Sequence, residues 1–270
     1  MANKSNNLEL IFGRNAVLQA LRAGTDVRRI LLARGTKRDG MLAEALGVAK
    51  RAQVPIVEVE RDELERMLRQ RNMRGSLHQG IIAETGEFSY VELDDILAAA
   101  QASGEPAFLL LLDNVQYVKN FGALLRTAEI VGVHGVVIPE HRQAGVTAEV
   151  RKASAGAVDF LKIAQVTNLA RTLDELKEQG IWVVGIEEAP NAQPYDKPDY
   201  TVPIAFVVGS EVDGLRRLTR EKCDYMVQLP MWGKTPSLNV SVAGSMVLYT
   251  ARMQRAGKGI GPAIPNAGNS

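Results

Sequence analysis

Phe108-Leu109-Leu110-Leu111-Leu112, running straight into Asp113-Asn114-Val115-Gln116, is the stretch that decides the fold. Five successive apolar side chains leave no polar side, so the segment reads as a strand buried on both faces. Strand-length apolar runs of the same kind recur at 135–138, 181–186, 204–208 and 226–229, with helical segments between them. That alternation specifies a parallel sheet covered on both sides by helices. The expectation is an α/β domain over 104–256. Open parallel sheets bind ligands beyond the carboxyl ends of their strands, so the loops after these runs are where chemistry is sought.

Upstream lies a second, smaller α/β pattern. Val17, Leu18 and Leu21 give 12–22 a helical spacing that stops at Gly24. A strand at 29–33, a helix at 41–51, a strand at 54–59, a helix at 61–71 and a closing strand at 80–83 follow. Such a unit, about 75 residues long, is of ordinary domain size, and it is placed at 8–86. The polar stretch 84–92 with Gly86 is the expected boundary, and a helix over 91–102 leads into the sheet domain. Residues 1–10 and 257–270 read as unstructured ends, and no internal repeat is visible.

The 270 residues are 46% hydrophobic and 23% charged, as in ordinary globular chains. The longest apolar run, 107–112, is far short of the roughly 18 residues a membrane span needs. The polar start Met1-Ala2-Asn3-Lys4-Ser5-Asn6-Asn7 has no apolar stretch behind it. One cysteine, Cys223, excludes an intramolecular disulfide and a cysteine-rich metal site. These features predict a cytoplasmic protein with no membrane partner. Cys223, His78, His134 and His141 are not spaced as a ligand set, so no metal is expected. Net charge is +1, but residues 1–90 hold 15 Lys/Arg against 11 Asp/Glu, and 91–270 hold 17 against 20. Arg66, Arg69, Arg71 and Arg74 suit either a phosphate backbone or a solvated helix face.

Three segments begin at predicted strand ends. The first, 112–128, is a loop and then a helix starting near Asn120, which can cap it. Arg126 on that helix meets only Gly122 and Ile130 at i±4, which fits an anionic ligand or a distant acid. In the second, Phe206-Val207-Val208-Gly209-Ser210-Glu211-Val212-Asp213-Gly214-Leu215, two glycines bracket a turn. Glu211 there is either a helix-start carboxylate or a ligand contact. The third is Leu229-Pro230-Met231-Trp232-Gly233-Lys234-Thr235-Pro236-Ser237-Leu238-Asn239-Val240-Ser241-Val242-Ala243-Gly244. Its prolines stiffen a loop ahead of a helix that begins around Leu238, with Ser237 suited to the N-cap.

Together these segments resemble the signature of the SpoU/TrmH-type RNA ribose 2′-O-methyltransferases of the SPOUT superfamily. The resemblance rests on Asn120, Gly122 and Arg126, on Gly209-Ser210-Glu211 with Gly214-Leu215, and on Pro230-Met231 followed by Ser237-Leu238-Asn239-Val240-Ser241. Arg151-Lys152-Ala153-Ser154-Ala155-Gly156-Ala157 adds to it. Residues 106–255 carry this match, with Asn114 standing where the family often has Gly. Residues 8–90 resemble the family's substrate-binding domain, an L30e-like RNA-binding unit, through Ile11-Phe12-Gly13-Arg14-Asn15-Ala16-Val17 and His78-Gln79-Gly80.

The resemblance implies a parallel-sheet methyltransferase domain whose segment 229–253 threads a C-terminal trefoil knot. It implies S-adenosylmethionine held by Gly209, Leu229, Met231, Leu238, Gly185 and Ile186, with no metal. Catalysis would fall to Arg126, supported by Asn120, Glu211, Ser237 and Asn239. The implied reaction is methylation of a ribose 2′-hydroxyl, with a guanosine of 23S ribosomal RNA as the target of the most similar branch, by a homodimer. Transfer RNA methylation, antibiotic-resistance methylation of ribosomal RNA and a catalytically silent RNA-binding protein stay open as alternatives.

Overall fold

The computed structural model describes residues 8–71, 73, 78–141 and 143–261. The chain divides into two units, one of Met1–Ser89 with Gly145–Phe160 and one of Tyr90–Ala144 with Leu161–Ser270. Arg74, one of the basic run, lies outside the described residues.

The first unit runs β1 (Glu9–Phe12), α1 (Arg14–Arg22), β2 (Val27–Ala33), α2 (Gly40–Arg51), β3 (Ile56–Val59), α3 (Arg61–Gln70) and β4 (Ile81–Thr85). Its sheet has the order β1-β4-β2-β3, with β4 antiparallel to both neighbours and β2 parallel to β3. Side chains alternate across a strand: Ile30 and Leu32 of β2 enter one core with α1 and α2, while Leu31 and Ala33 enter another with Leu64 and Leu68 of α3. Glu9 and Leu10 belong to β1, so the chain is structured earlier than the polar start suggests. Phe12 closes that strand instead of opening the helix, because Gly13 turns the backbone at φ 92°.

Gly145–Phe160 comes from the middle of the predicted sheet domain yet clusters with the first unit. It contains α6 (Ala148–Ala153) and a short 3-10 helix (Ala157–Phe160). Ala148 joins the α3-side core. Arg151, 1% exposed, pairs with Asp159 and lies 3.7 Å from Glu9 and over the Phe88 ring. Charge spacing in the sequence did not reveal this cluster, since Glu9 is distant along the chain. The continuous 104–256 domain is therefore interrupted.

The second unit contains α4 (Leu93–Ser103), β5 (Phe108–Leu112), α5 (Val118–Ile130), β6 (Gly135–Pro139), β7 (Ile163–Val166), α7 (Leu169–Glu178), β8 (Trp182–Ile186), β9 (Gln193–Pro194), β10 (Ile204–Val208), α8 (Arg217–Lys222), β11 (Tyr225–Gln228) and α9 (Val240–Gly257). All strands are parallel, in the order β7-β6-β5-β10-β8-β11-β9. Leu109, Leu111, Val183, Ala205 and Val207 pack against Leu169, Leu173 and Leu176 of α7 and Ile96 of α4. On α9, Gly244 lets the helix approach: a Cβ there would sit 2.7 Å from Leu124 Cδ2 of α5 and 3.3 Å from Val208 Cγ2.

Two helix starts correct the sequence reading. Helix α9 opens at Val240 with Asn239 as N-cap, its side chain accepting from Ser241 N, so Ser237 is not the cap. Helix α5 opens at Val118, which puts Asn120 inside the first turn and frees its side chain for other partners. Gly257 ends α9 instead of beginning an unstructured tail. Among the described residues no helix is long and apolar enough to cross a membrane.

Candidate active site

Strands β8, β10 and β11 end side by side, and a cleft of about 670 Å³ opens beyond their carboxyl ends. Its walls include Asn120, Ile186, Glu211, Leu229, Met231, Ser237, Leu238 and Asn239. The charged groups among the described lining residues are all acidic: Glu187, Glu188 and Asp213 join Glu211, with no Lys or Arg among them.

One hydrogen-bond network ties the three motif segments together. Glu211 accepts from Gln116 N at 3.3 Å, Tyr117 N at 3.2 Å and the Asn120 side-chain amide at 3.0 Å. Tyr117 is the N-cap residue of α5 and offers no side-chain cap of its own, so the Glu211 carboxylate satisfies the helix start from a remote loop. Asn120 Oδ1 accepts in turn from Asn239 Nδ2 at 3.1 Å. Asn239 Oδ1 accepts from Ser241 N at 2.9 Å and from Ser241 Oγ at 2.6 Å. Glu211 is thus a helix-start carboxylate, but for α5 and not for the segment that follows it.

Glycines shape the turn carrying Glu211. Ser210 N donates to Gly214 O at 2.9 Å and Gly214 N to Ser210 O at 3.2 Å. A Cβ on Gly209 would lie 2.2 Å from the Gly214 carbonyl carbon. Gly214 has φ +66°, and a Cβ there would meet Glu187 Oε1 at 2.0 Å. Glu187 braces the turn by accepting from Leu215 N at 3.3 Å and from Arg220 Nε at 2.7 Å. Buried Asp113, at the end of β5, accepts from Arg216 N at 3.0 Å. Asn114 follows at φ 70°, the left-handed region that Gly and Asn tolerate best.

Three predicted site residues lie off the cleft wall. Arg126 is exposed on α5 and has no hydrogen-bond or ion-pair partner among the described residues. Gly209 shapes the turn instead of lining the cleft. Gly185 is buried inside β8, where a Cβ would meet Met226 Sδ at 2.5 Å and Leu215 Cδ1 at 2.9 Å, so it answers to packing. Conversely, Glu187, Glu188, Val212 and Tyr117 line the cleft without having been singled out. Glu187 and Glu188 carried a usable signal, being the first polar residues beyond β8. No group of three or more His, Cys, Asp or Glu among the described residues is placed to hold a metal.

Comparison with known proteins places this cleft in a family. The SpoU rRNA methylase family profile matches residues 107–249, and that for RNA 2′-O ribose methyltransferase substrate binding matches 10–91. YacO of Bacillus subtilis, named for the TrmH family of tRNA/rRNA methyltransferases, is 39% identical over 93% of this chain and 98% of its own length. An uncharacterised tRNA/rRNA methyltransferase of Mycobacterium sp. (strain KMS) is 42% identical over 94% of this chain and 79% of its own. The SpoU methyltransferase AviRb from Streptomyces viridochromogenes, solved with its cofactor AdoMet, shares the fold with a TM-score of 0.75 at 24% identity, covering 92% of this chain and 90% of AviRb. A solved RNA 2′-O ribose methyltransferase matches at 26% identity and TM-score 0.70, over 93% of this chain and 90% of that one. With both profiles matched in order and relatives alike over nearly its whole length, the chain belongs to the SpoU rRNA methylase family.

Proposed function

We propose that the protein transfers the methyl group of S-adenosylmethionine to a ribose 2′-hydroxyl of RNA, with a guanosine of 23S ribosomal RNA as the target. The observation that carries this reading is the acidic cleft whose walls are joined by the Glu211–Asn120–Asn239 network. Four carboxylates, with no cation among the described lining residues, suit a ligand that bears a sulfonium and an ammonium, and would repel a phosphate. Ile186, Leu229 and Leu238 supply apolar surface for an adenine ring, with Met231 beside them. Gly209 holds the turn open, and Gly185 lets Met226 and Leu215 pack behind it.

When bound, the cofactor supplies an electrophilic methyl group. The chain's part is to bring a ribose oxygen into line with it, because alignment alone removes several kcal/mol of barrier, about 7–11 at best. Arg126, exposed, off the cleft wall and without a partner among the described residues, is free to take an RNA phosphate and so orient the neighbouring hydroxyl. Guanidinium keeps its proton through the physiological range, which suits an anion clamp and not a general base. Asn120, Glu211 and Asn239 fix the start of α5 and with it the helix that carries Arg126; Ser237 offers a hydroxyl at the cleft wall. Residues 229–253 are read as the threaded segment of a trefoil knot, in keeping with α9 packing on α5 after β11 has paired with β8.

Exposed Val242, Met246, Tyr249 and Met253 form an apolar stripe at helical spacing on α9, which supports a homodimer. Arg126→Lys tests the clamp. A bidentate contact predicts a loss of about a hundredfold or more in turnover, whereas near-full turnover at saturating RNA would rule that contact out.

A further inference from the structure

The acidic cleft has an apolar mouth. Tyr117, Val212, Met231 and Leu238 line the cleft yet stay exposed, and Trp232, next to Met231, is 91% exposed. Single exposed apolar side chains are ordinary, but five gathered at one cleft mark a place where something docks. Three separate segments supply them: the start of α5, the turn between Ser210 and Gly214, and the loop ahead of α9.

Local structure fixes these positions. Tyr117 N donates to Glu211 Oε1 at 3.2 Å, so the residue is held through its backbone while 59% of it stays open to water. Val212 sits in the turn that Ser210 and Gly214 close, where Asp213 N also donates to Ser210 Oγ at 2.9 Å. Trp232 stands between Pro230 and Pro236, which restrict the backbone on either side. Among the described residues neither the Tyr117 hydroxyl nor the Trp232 indole N–H has a hydrogen-bond partner, and neither ring has an aromatic neighbour.

Charge decides what this mouth can take. Four carboxylates among the described lining residues repel phosphate, yet the acceptor hydroxyl has to reach a methyl group inside the cleft. The acceptor must therefore enter by its uncharged parts, ribose and base, with its phosphates left outside. Lys234, exposed two residues beyond Trp232 and without a partner among the described residues, offers those phosphates a cation. Aromatic rings suit such an entry, because every base has a face to stack and stacking brings no charge into the cleft. A second copy of the chain seated on the same rim would shut the acceptor out.

We propose that Trp232 stacks on the base of the nucleotide being methylated, with Tyr117 as its second contact, so that the ribose is presented to the cleft without its phosphates. Both are positioning residues with no part in the chemistry. The assignment rests on the proposed function in taking RNA as the acceptor.

The test uses the full chain with unmodified transcripts of 23S ribosomal RNA and, beside it, tRNA. Trp232→Ala is expected to lower kcat/KM for RNA about tenfold, chiefly by raising KM. Its S-adenosylmethionine affinity in calorimetry should be unchanged, since Trp232 does not line the cleft. Trp232→Phe should recover most of the loss, and Trp232→Leu, apolar without a ring, should not; Tyr117→Phe and Tyr117→Leu should divide in the same way. Trp182 is the only other tryptophan, so Trp182→Phe leaves the emission of Trp232 alone to be read. It should match a water-exposed indole in the free protein and be quenched as RNA saturates. Emission of a buried indole before RNA is added would assign the rim to a second copy of the chain and overturn the proposal, as would bound RNA that leaves the emission unchanged. Quenching without methyl transfer would leave the rim standing and refute the catalytic reading. Methyl transfer undiminished in Trp232→Leu would refute the rim alone, and binding of neither RNA would refute both.

Discussion

Single side chains carry much of the second unit. Arg255 is fully buried near the end of α9 and donates to the carbonyls of Tyr200, Pro106, Ala107 and Val202, while its guanidinium stacks on Phe108 at 4.6 Å. Burial pulls its pKa down to about 10, yet the four carbonyls keep the charge in place. Arg255→Met should cost about 3 kcal/mol or more in denaturant unfolding, because four buried acceptors lose their donor. Glu211 and Asn120 work in the same currency at the site. Glu211→Gln keeps one acceptor oxygen but turns an amide N–H₂ toward either Gln116 N, which donates to one carboxylate oxygen, or Tyr117 N and Asn120, which donate to the other. Turnover should fall at least tenfold while the melting temperature moves little. A double-mutant cycle of Asn120→Ala and Asn239→Ala should give a coupling of about 0.5–3 kcal/mol, as for directly bonded pairs.

At the scale of elements, the strands buried on both faces were readable because nothing in them faces water: Phe108–Leu112 and Ile204–Val208 appear at their expected limits. The sheet's edges were not. β9 is two exposed residues, Gln193–Pro194, and β7, Ile163–Val166, is short and only half buried; both exist because a neighbour offers a free edge. The site was legible as three motifs but not as one network, since nothing in the spacing says that Glu211 caps α5. Asn239 was readable as polar but not as the N-cap of α9, because Ser237 and Asn239 are equally good caps and only the loop's path decides. Gly209 and Gly214 make the turn a unit, and Gly209→Ala should abolish cofactor binding in calorimetry: the new Cβ would strike backbone at 2.2 Å, which no rotamer can relieve.

Across the whole molecule two clefts differ in charge: among the described lining residues the one in the second unit has four carboxylates and no cation, and one in the first unit has four cations and two acids. Acid should weaken both units. Burial pushes the imidazoles of His78 in the first and His134 in the second below their ordinary value. His134 Nδ1 accepts from Phe108 N at 3.0 Å, a bond available only to the neutral ring. The unfolded chain then binds more protons than the native one below the ordinary histidine range, so stability falls as pH drops through about 6.5. Replacing both histidines should flatten that slope in thermal melts between pH 7 and 5. The apolar stripe on α9 makes a separate claim, that Met246→Glu with Tyr249→Glu converts a dimer to a monomer in sedimentation.

The most direct test of the central claim is transfer of labelled methyl from S-adenosylmethionine to unmodified 23S ribosomal RNA, beside unmodified tRNA, with Arg126→Ala as control. The account predicts label in the ribosomal RNA, recovered as a 2′-O-methylated guanosine and lost in the variant. Label on a base, or undiminished label in Arg126→Ala, would contradict it.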